Sequence, residues 1–520
     1  MGISTSTGTL TAGQSRTFNL APASAVTLTL SPNVRVTITE TPATVAATGL
    51  GGNASRVHEP RLPGVVTYGP YPMGGSVLVE VESNSGSSVA WVRSDSIIAE
   101  SADGAQSLVS GDGNVRSLQY GGAGNTMLLF GDSFMARHSN SPLTYWSDLG
   151  YWVWEAAKLG GRLQIIRNSG VSGETTAAML ARFATDVTPY PSRFVAINGG
   201  VNDLSTLTGA QTVANMRLMC QMILALGRIP LLHTPGPYTN NNYAPFQVLM
   251  AYIVDGYYKI ASDLDIPLVD MYAALINPTD ANGNMTAAYS SDSPSLHPNV
   301  VGARRIQTLA CDPVILPLLA GQAGTVVSAA NTVAKLGAAA TQLLANPLLN
   351  TAGGTVSGTG QSGTAPSGWT CTVLSGVATG VWSRPARADG LGNDISCVVS
   401  AVTGASSLYA YTASQHTLVA EGDEIWGEYF FSQTTVVGMT RVSLSVEITD
   451  GLGARFVRAL DTYGAGYDVT DIPAGYKFVT PKTTIVGTPT NLRLVATFYF
   501  ANGGSGTFAI GVPVIRRTPV

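Results

Sequence analysis

Charge is the scarcest ingredient of this chain. Asp, Glu, Lys and Arg supply 12% of its 520 residues, about half the usual quarter. Lysine is rarer still: Lys158, Lys259, Lys335, Lys477 and Lys482 are the whole set, so 23 of the 28 basic residues are arginines. No Lys/Arg run occurs and the net charge is -4, which excludes a protein that grips nucleic acid through its phosphates. No run of about 20 apolar residues is present, so no membrane insertion is expected. Residues 1–30 lack a basic start followed by an apolar run, and no signal peptide is read there. Cys220, Cys311, Cys371 and Cys397 are scattered without C-x-x-C spacing, which predicts neither a zinc site nor a disulfide framework. Cys371 and Cys397 stand either as free buried thiols or as one bridge.

Glycine (58 residues), serine and threonine replace the missing charge, while hydrophobic residues hold at 45%. That apolar content excludes a disordered chain. The length predicts about three domains of roughly 150 residues. Low charge with abundant small polar residues fits β-rich modules of a secreted, surface or virion protein.

Hydrophobic periodicity divides the chain. Residues 1–112 alternate with period two, as in Val26–Leu30, Val34–Thr39 and Val77–Glu82, which predicts an all-β module. Residues 113–322 alternate short apolar runs (Met127–Phe130, Leu163–Arg167, Phe194–Ile197, Ile229–His233, Ile266–Val269) with helical patterns. Gln211–Leu226 is one such pattern, with Val213, Met216, Cys220, Ile223 and Leu224 at helical spacing and Gly227 as its stop. Five buried strands separated by helices predict a parallel, doubly wound α/β sheet, whose chemistry lies beyond the carboxyl ends of its strands. Residues 323–345 are Ala-rich and almost uncharged and read as a linker helix. Residues 346–520 alternate again and read as a β-sandwich of jelly-roll type.

The strand ends of the middle region carry the chemistry. Ser133, in Gly131-Asp132-Ser133, falls where a buried strand gives way to a helix. It reads equally as a nucleophile or as a helix N-cap; no G-x-S-x-G surrounds it, so it is not the elbow of the α/β-hydrolases. The next two strands end in Ser172-Gly173-Glu174-Thr175 and Gly200-Val201-Asn202-Asp203. Three successive glycine-bearing ends at one sheet edge exceed what tight turns alone would require. His138, His233 and His297 fall in the same region, each an ordinary polar residue unless a partner is found.

Taken together, Gly131-Asp132-Ser133, Gly173 in Ser-Gly-Glu-Thr, Gly200-x-Asn202-Asp203 and Leu296-His297-Pro298-Asn299 resemble the four motif blocks of the SGNH (GDSL-type) hydrolases over residues 124–320. The resemblance implies a flavodoxin-like sheet and a serine esterase without metal or cofactor. It implies Ser133 as nucleophile, His297 as base, and the Ser133 and Gly173 N–H groups with the Asn202 side chain as oxyanion donors. The family usually places an Asp three residues before its His, and Pro294 stands there instead. Asp292, five residues before His297, is the candidate orienting acid; the alternative is a backbone carbonyl and a Ser–His dyad. Arg137, His138 and His233 are candidate pocket residues or ordinary polar ones.

Gly51–Pro60, Tyr68-Gly69-Pro70-Tyr71 and the Asn346-Pro347-Leu348-Leu349 to Gly368-Trp369 segment resemble β modules of phage tail-spike and tail-fibre proteins. This implies a virion or extracellular enzyme, a homotrimer or other homo-oligomer beside further tail proteins, acting on acetylated bacterial polysaccharide. A non-catalytic receptor-binding tail protein and a secreted carbohydrate esterase with a sugar-binding module are the alternatives. Trp369, Trp382, Trp426, Tyr463 and Tyr467 are either a sugar-stacking platform or sandwich core.

Overall fold

The computed structural model describes, in residues 1–124, the strands as backbone. Beyond them it describes residues 125–520, apart from 142, 238–243, 281–282, 292–295, 320–341, 462–471 and 520. The segment read as a linker helix therefore lies almost wholly outside the described residues, as do Tyr463, Tyr467 and Asp292.

The chain divides into two compact units, 1–124 and 125–520. In the first, the period-two runs pair into two four-stranded antiparallel sheets. One joins Thr5–Thr11, Ser88–Ser94, Ala25–Leu30 and Gly64–Tyr68 in that order; the other joins Ser15–Leu20, Gly75–Val81, Val34–Glu40 and Ala54–His58. A three-stranded sheet (Ile98–Glu100, Gln106–Val109, Val115–Ser117) follows.

The second unit opens with the α/β layer. Strands β1 (Thr126–Gly131), β3 (Gln164–Gly170), β4 (Phe194–Asn198), β5 (Ile229–His233) and β6 (Leu268–Val269) form a parallel sheet in the order β3-β1-β4-β5-β6. β1 and β4 are buried at every position, as their uninterrupted apolar runs require of strands covered on both faces. Between them come α1 (Ser133–Ala136), α2 (Tyr151–Lys158), α3 (Thr176–Asp186), α4 (Gly209–Ala225) and α5 (Ala244–Leu264), and after them α6 (Met271–Leu275) and α7 (Val300–Ile306). A capping box of Thr208 and Gln211 starts α4, and Gly227 at φ +69° follows its end. Met216, Cys220 and Ile223 are buried as the periodicity predicts. Leu224 instead faces solvent at 39% exposure, because it lies one residue past Ile223 and so turns off the inward stripe. The four cysteines are free and buried.

The strand order places the reversal of winding between β1 and β4. A crevice opens there beyond the carboxyl ends of the strands.

Residues 346–520 form a β-rich region. Its long strands are β9 (Trp369–Ser383), β10 (Asp394–Thr412), β11 (Glu424–Asp450) and β15 (Asn491–Thr518), with β7 (Thr355–Ser357), β8 (Gln361–Gly363), β12 (Gly453–Asp461), β13 (Lys477–Val479) and β14 (Thr483–Thr484) beside them. Phe498 and Phe508 would stand roughly 33 Å apart on a straight strand, yet their rings stack with centroids 3.6 Å apart. β15 therefore doubles back between them, and β11 is bulged repeatedly between Thr434 and Arg441. Phe431, paired in register with Ile510, touches Phe498 from the other half (centroids 5.8 Å). The two facing layers are thus halves of one bent sheet with an aromatic core. Trp369 and Trp382 belong to that core, 3% and 1% exposed, so neither offers a sugar platform. Trp426 is half-buried, with Lys482 over its ring.

The α/β layer and this region are continuous. β2 (Tyr145–Ser147) pairs in parallel with β12, and Trp154 on α2 meets the Phe478 ring edge-on at 5.6 Å. The Arg304 guanidinium lies over Trp154 (4.7 Å) and Tyr476 (5.0 Å).

Candidate active site

Gly131 ends β1 where a side chain would collide with the Asn198 carbonyl oxygen. The chain then enters α1 with Asp132 as N-cap, its Oδ1 accepting from the Phe134 N–H at 3.0 Å. Capping thus falls to Asp132, and Ser133 is the first helical residue, 7% exposed. Its Oγ lies 2.8 Å from His297 Nε2, a hydrogen bond across 164 residues of sequence. The Phe134 ring packs 5.4 Å from the imidazole. The His297 loop is held by its own carbonyl, which accepts from the Ser291 N–H at 2.9 Å, and Arg137 Nη1 donates to Ser291 Oγ at 2.9 Å.

Gly173 sits in the loop after β3 at φ +82°, with nothing within 4 Å of where a Cβ would stand. The backbone conformation, not crowding, calls for glycine there. Asn202 opens a short turn after β4 and donates from Nδ2 to the Glu174 carbonyl at 2.9 Å. An amide has two N–H bonds, so one remains to point elsewhere.

Beneath this loop lies a network that sequence reading did not single out. Arg182 on α3 donates to the Gly131 carbonyl (2.9 Å), the Ser169 carbonyl (2.7 Å), Glu174 Oε2 (2.5 Å) and Asp186 Oδ2 (2.7 Å). One guanidinium thereby joins the ends of β1 and β3 to the Gly173 loop. Buried Asp203 accepts from the Thr176 N–H and hydroxyl and, at 3.1 Å, from the Thr212 hydroxyl. An acid and an arginine eight residues apart, Glu174 and Arg182, were the available signal, but only the fold shows what they join.

Asp132 is fully buried, and its Oδ2 has no hydrogen-bond partner among the described residues. Burial, with Asp203 and Glu174 adding repulsion, pushes its carboxyl up to about 7.

His138 and His233 are not pocket residues. Each is fully buried, accepts at Nε2 (from the Trp152 backbone N–H at 3.3 Å and its indole N–H at 2.9 Å, respectively) and donates from Nδ1 to backbone carbonyls. Burial holds them neutral, down to about 3 and about 4, the neighbouring His233 adding to the effect on His138.

Beside α1 a cleft of about 590 Å³ is bounded by Arg137, Asn140, Leu143, Ile166, Arg167 and Ser172, among others. Its walls are mainly polar. No cluster of potential metal ligands occurs among the described residues.

A serine and a histidine in hydrogen-bond contact at the carboxyl edge of a parallel sheet are the working parts of a serine hydrolase. Residues 129–305 match the model of the GDSL-like Lipase/Acylhydrolase family, so this segment is a GDSL-type (SGNH) hydrolase domain and the chain is a carboxylic ester hydrolase of that kind. It is 27% identical over 154 residues to Thioesterase 1/protease 1/lysophospholipase L1 of Escherichia coli K12, covering 29% of this chain and 68% of that protein. The same figures hold for the protein of that name from Escherichia coli O6:H1. Among solved structures, an acetylxylan esterase from Geobacillus stearothermophilus is 20% identical (40% of this chain, 100% of that one, TM-score 0.32). A GDSL-like lipase from Bacteroides thetaiotaomicron is 18% identical (36% and 87%, TM-score 0.30).

Proposed function

We propose that the chain is a serine esterase that removes acetyl groups from bacterial surface polysaccharide as part of a phage tail spike. The observation that carries the reading is the 2.8 Å contact between Ser133 Oγ and His297 Nε2, with Gly173 and Asn202 on the neighbouring strand ends. In the proposed reaction His297 takes the Ser133 proton as Oγ attacks the ester carbonyl. The Ser133 and Gly173 N–H groups and Asn202 stabilise the oxyanion, and His297 returns the proton to the departing sugar hydroxyl. Water, deprotonated by the same imidazole, then releases acetate from the acyl-enzyme. The scheme uses no metal or cofactor.

The polar walls of the cleft favour a sugar over a lipid chain, which would need an apolar groove. The virion setting rests on the low-charge, glycine-rich β modules on either side, and a homotrimer or other homo-oligomer is the assembly we propose for such a spike. Asp292 is proposed to orient the His297 ring.

The test is 4-nitrophenyl acetate hydrolysis. Ser133→Ala and His297→Ala are expected to lose about 10³-fold or more, and Asp292→Asn less, since an orienting acid mainly fixes tautomer and stabilises the imidazolium. Equal loss in all three would rule out a dyad, and no loss in Asp292→Asn would remove that residue from the site. Absence of any Ser133-dependent hydrolysis would leave a binding or structural tail protein. Acetate release from acetylated host polysaccharides, followed by NMR, reads out the substrate class.

A further inference from the structure

We infer that His138 is a positioning residue: its buried imidazole fixes the short helix that carries Ser133, and so sets the contact between the Ser133 hydroxyl and His297. The inference rests on Ser133 being the nucleophile of the esterase reading.

The helix cannot fix itself. α1 is four residues long (Ser133–Ala136), and a single turn recovers little of the backbone entropy that it costs. The carbonyls at its end need donors from elsewhere. A further turn would bind the Phe134 carbonyl through the His138 backbone N–H, but that N–H goes to the Met135 carbonyl at 3.0 Å. The His138 ring takes its place, with Nδ1 3.0 Å from the Phe134 carbonyl and 3.2 Å from the Met135 carbonyl. Phe134 is thereby held on both sides. Its N–H donates to Asp132 Oδ1, its carbonyl accepts from His138, and its ring packs against the His297 imidazole. Ser133 directly precedes it. A displacement of Phe134 would therefore disturb both partners of the 2.8 Å contact between Ser133 Oγ and His297 Nε2.

The imidazole is anchored from the other side. Its Nε2 accepts the Trp152 backbone N–H at 3.3 Å, in the first turn of α2, where the N-cap Gly150 has no side chain to offer. The Tyr151 ring meets the imidazole edge-on with centroids 4.4 Å apart. Trp152 is tied in turn, its indole N–H donating to His233 Nε2 at 2.9 Å, and His233 Nδ1 reaches the Ile197 and Leu231 carbonyls of β4 and β5. A backbone N–H only donates and a carbonyl only accepts. The arrangement thus admits one state of His138, neutral with the proton on Nδ1, and burial holds the ring neutral.

The test compares variants of the full chain at this position. An Asn places an amide N–H near Nδ1 and keeps the bond to α1; a Gln places a carbonyl near Nε2 and keeps only the bond to α2. Each should melt at a lower temperature than the parent, since each leaves part of a buried network unpaired. His138→Ala and His138→Gln are expected to lower kcat for 4-nitrophenyl acetate by about 10- to 100-fold with KM within about twofold, and His138→Asn to recover most of that loss. Active sites are counted by labelling Ser133 to completion with a fluorophosphonate, so misfolded protein does not enter kcat. Should the variants fail to fold, NMR of the unaltered protein carrying isotope-labelled histidine decides. His138 should be neutral with its proton on Nδ1, and that N–H resonance should move when the fluorophosphonate labels Ser133. A proton on Nε2, or a resonance that stays in place, would overturn the inference. An unchanged kcat per active site in the Ala and Gln variants would overturn it too, assigning His138 to stability alone, as would equal losses in the Asn and Gln variants. Absence of Ser133-dependent hydrolysis in the unaltered protein would instead sink the esterase reading, and this inference with it.

Discussion

Asp132 and Ser133 are adjacent, yet their environments set them different tasks. Ser133 keeps its hydroxyl for His297 because Asp132 has taken the cap. The cap is an unusual one, fully buried, with one oxygen unpartnered among the described residues and the carboxyl pushed up to about 7. A carboxyl raised above its unfolded value of 3.8 stabilises the fold fully below that value, and the contribution is lost as pH rises through about 7. Asp132→Asn preserves a good N-cap and removes the ionisation. The variant should therefore gain on the parent protein between pH 4 and 7, by a few kcal/mol in order of magnitude at neutral pH, measured by urea denaturation at several pH values. His138 and His233 act with the opposite sign, their depressed values stabilising the fold above about 6.5, but they are common to both proteins and cancel in the difference. A constant difference across that range would show that Asp132 does not titrate in this window. At this scale the sequence was informative about type and silent about environment. Gly131-Asp132-Ser133 announces a strand end with a hydroxyl, but which of Asp132 and Ser133 caps the helix is decided by backbone geometry. Likewise His138 and His233 look as eligible as His297 until burial separates them.

At the level of elements, three loops converge on one place because three parallel strands end at one edge, and this much was legible. Apolar runs bounded by glycine define buried strands, parallel pairing follows from the helices between them, and the crevice follows from the winding. What holds the loops relative to one another was not legible, because it depends on contacts between residues far apart in sequence. Arg182 is the clearest case, a lone arginine on α3 whose four partners lie on two strand ends, one loop and its own helix. Removing it should loosen the Gly173 loop and take from Glu174 and Asp186 the guanidinium that ties them to the strand ends. We expect Arg182→Gln to lower kcat for 4-nitrophenyl acetate by about 10- to 100-fold, short of the full loss of an oxyanion donor, with little change in KM. Arg182→Lys should recover part of that. Thermal melts run alongside separate positioning from folding: an unchanged kcat in a protein of lowered Tm would assign Arg182 to stability alone.

For unit 125–520 as a whole, the question is whether the hydrolase layer stands alone. Period and composition separate it from the β-rich region after it, yet the two share a strand pairing, β2 with β12, and a common aromatic seam of Trp154, Arg304, Tyr476 and Phe478. The seam was invisible in the sequence because β2 is only three residues long, too short to show alternation, and because Trp154 reads simply as part of a helix. Its physical consequence is that Trp154, fully buried here, would face water if the β-rich region were removed. Phe478→Ala leaves a cavity against Trp154 and should cost about 3–5 kcal/mol, seen as a lowered midpoint of a single melting transition if the two regions unfold together. Residues 125–319 produced alone should fail to melt cooperatively and should lose Ser133-dependent hydrolysis, whereas residues 125–520 should retain both. A fully active, cooperatively folding 125–319 fragment would show that the seam is a contact between independent domains. On the present geometry the bent sheet supplies part of the wall against which the catalytic layer folds.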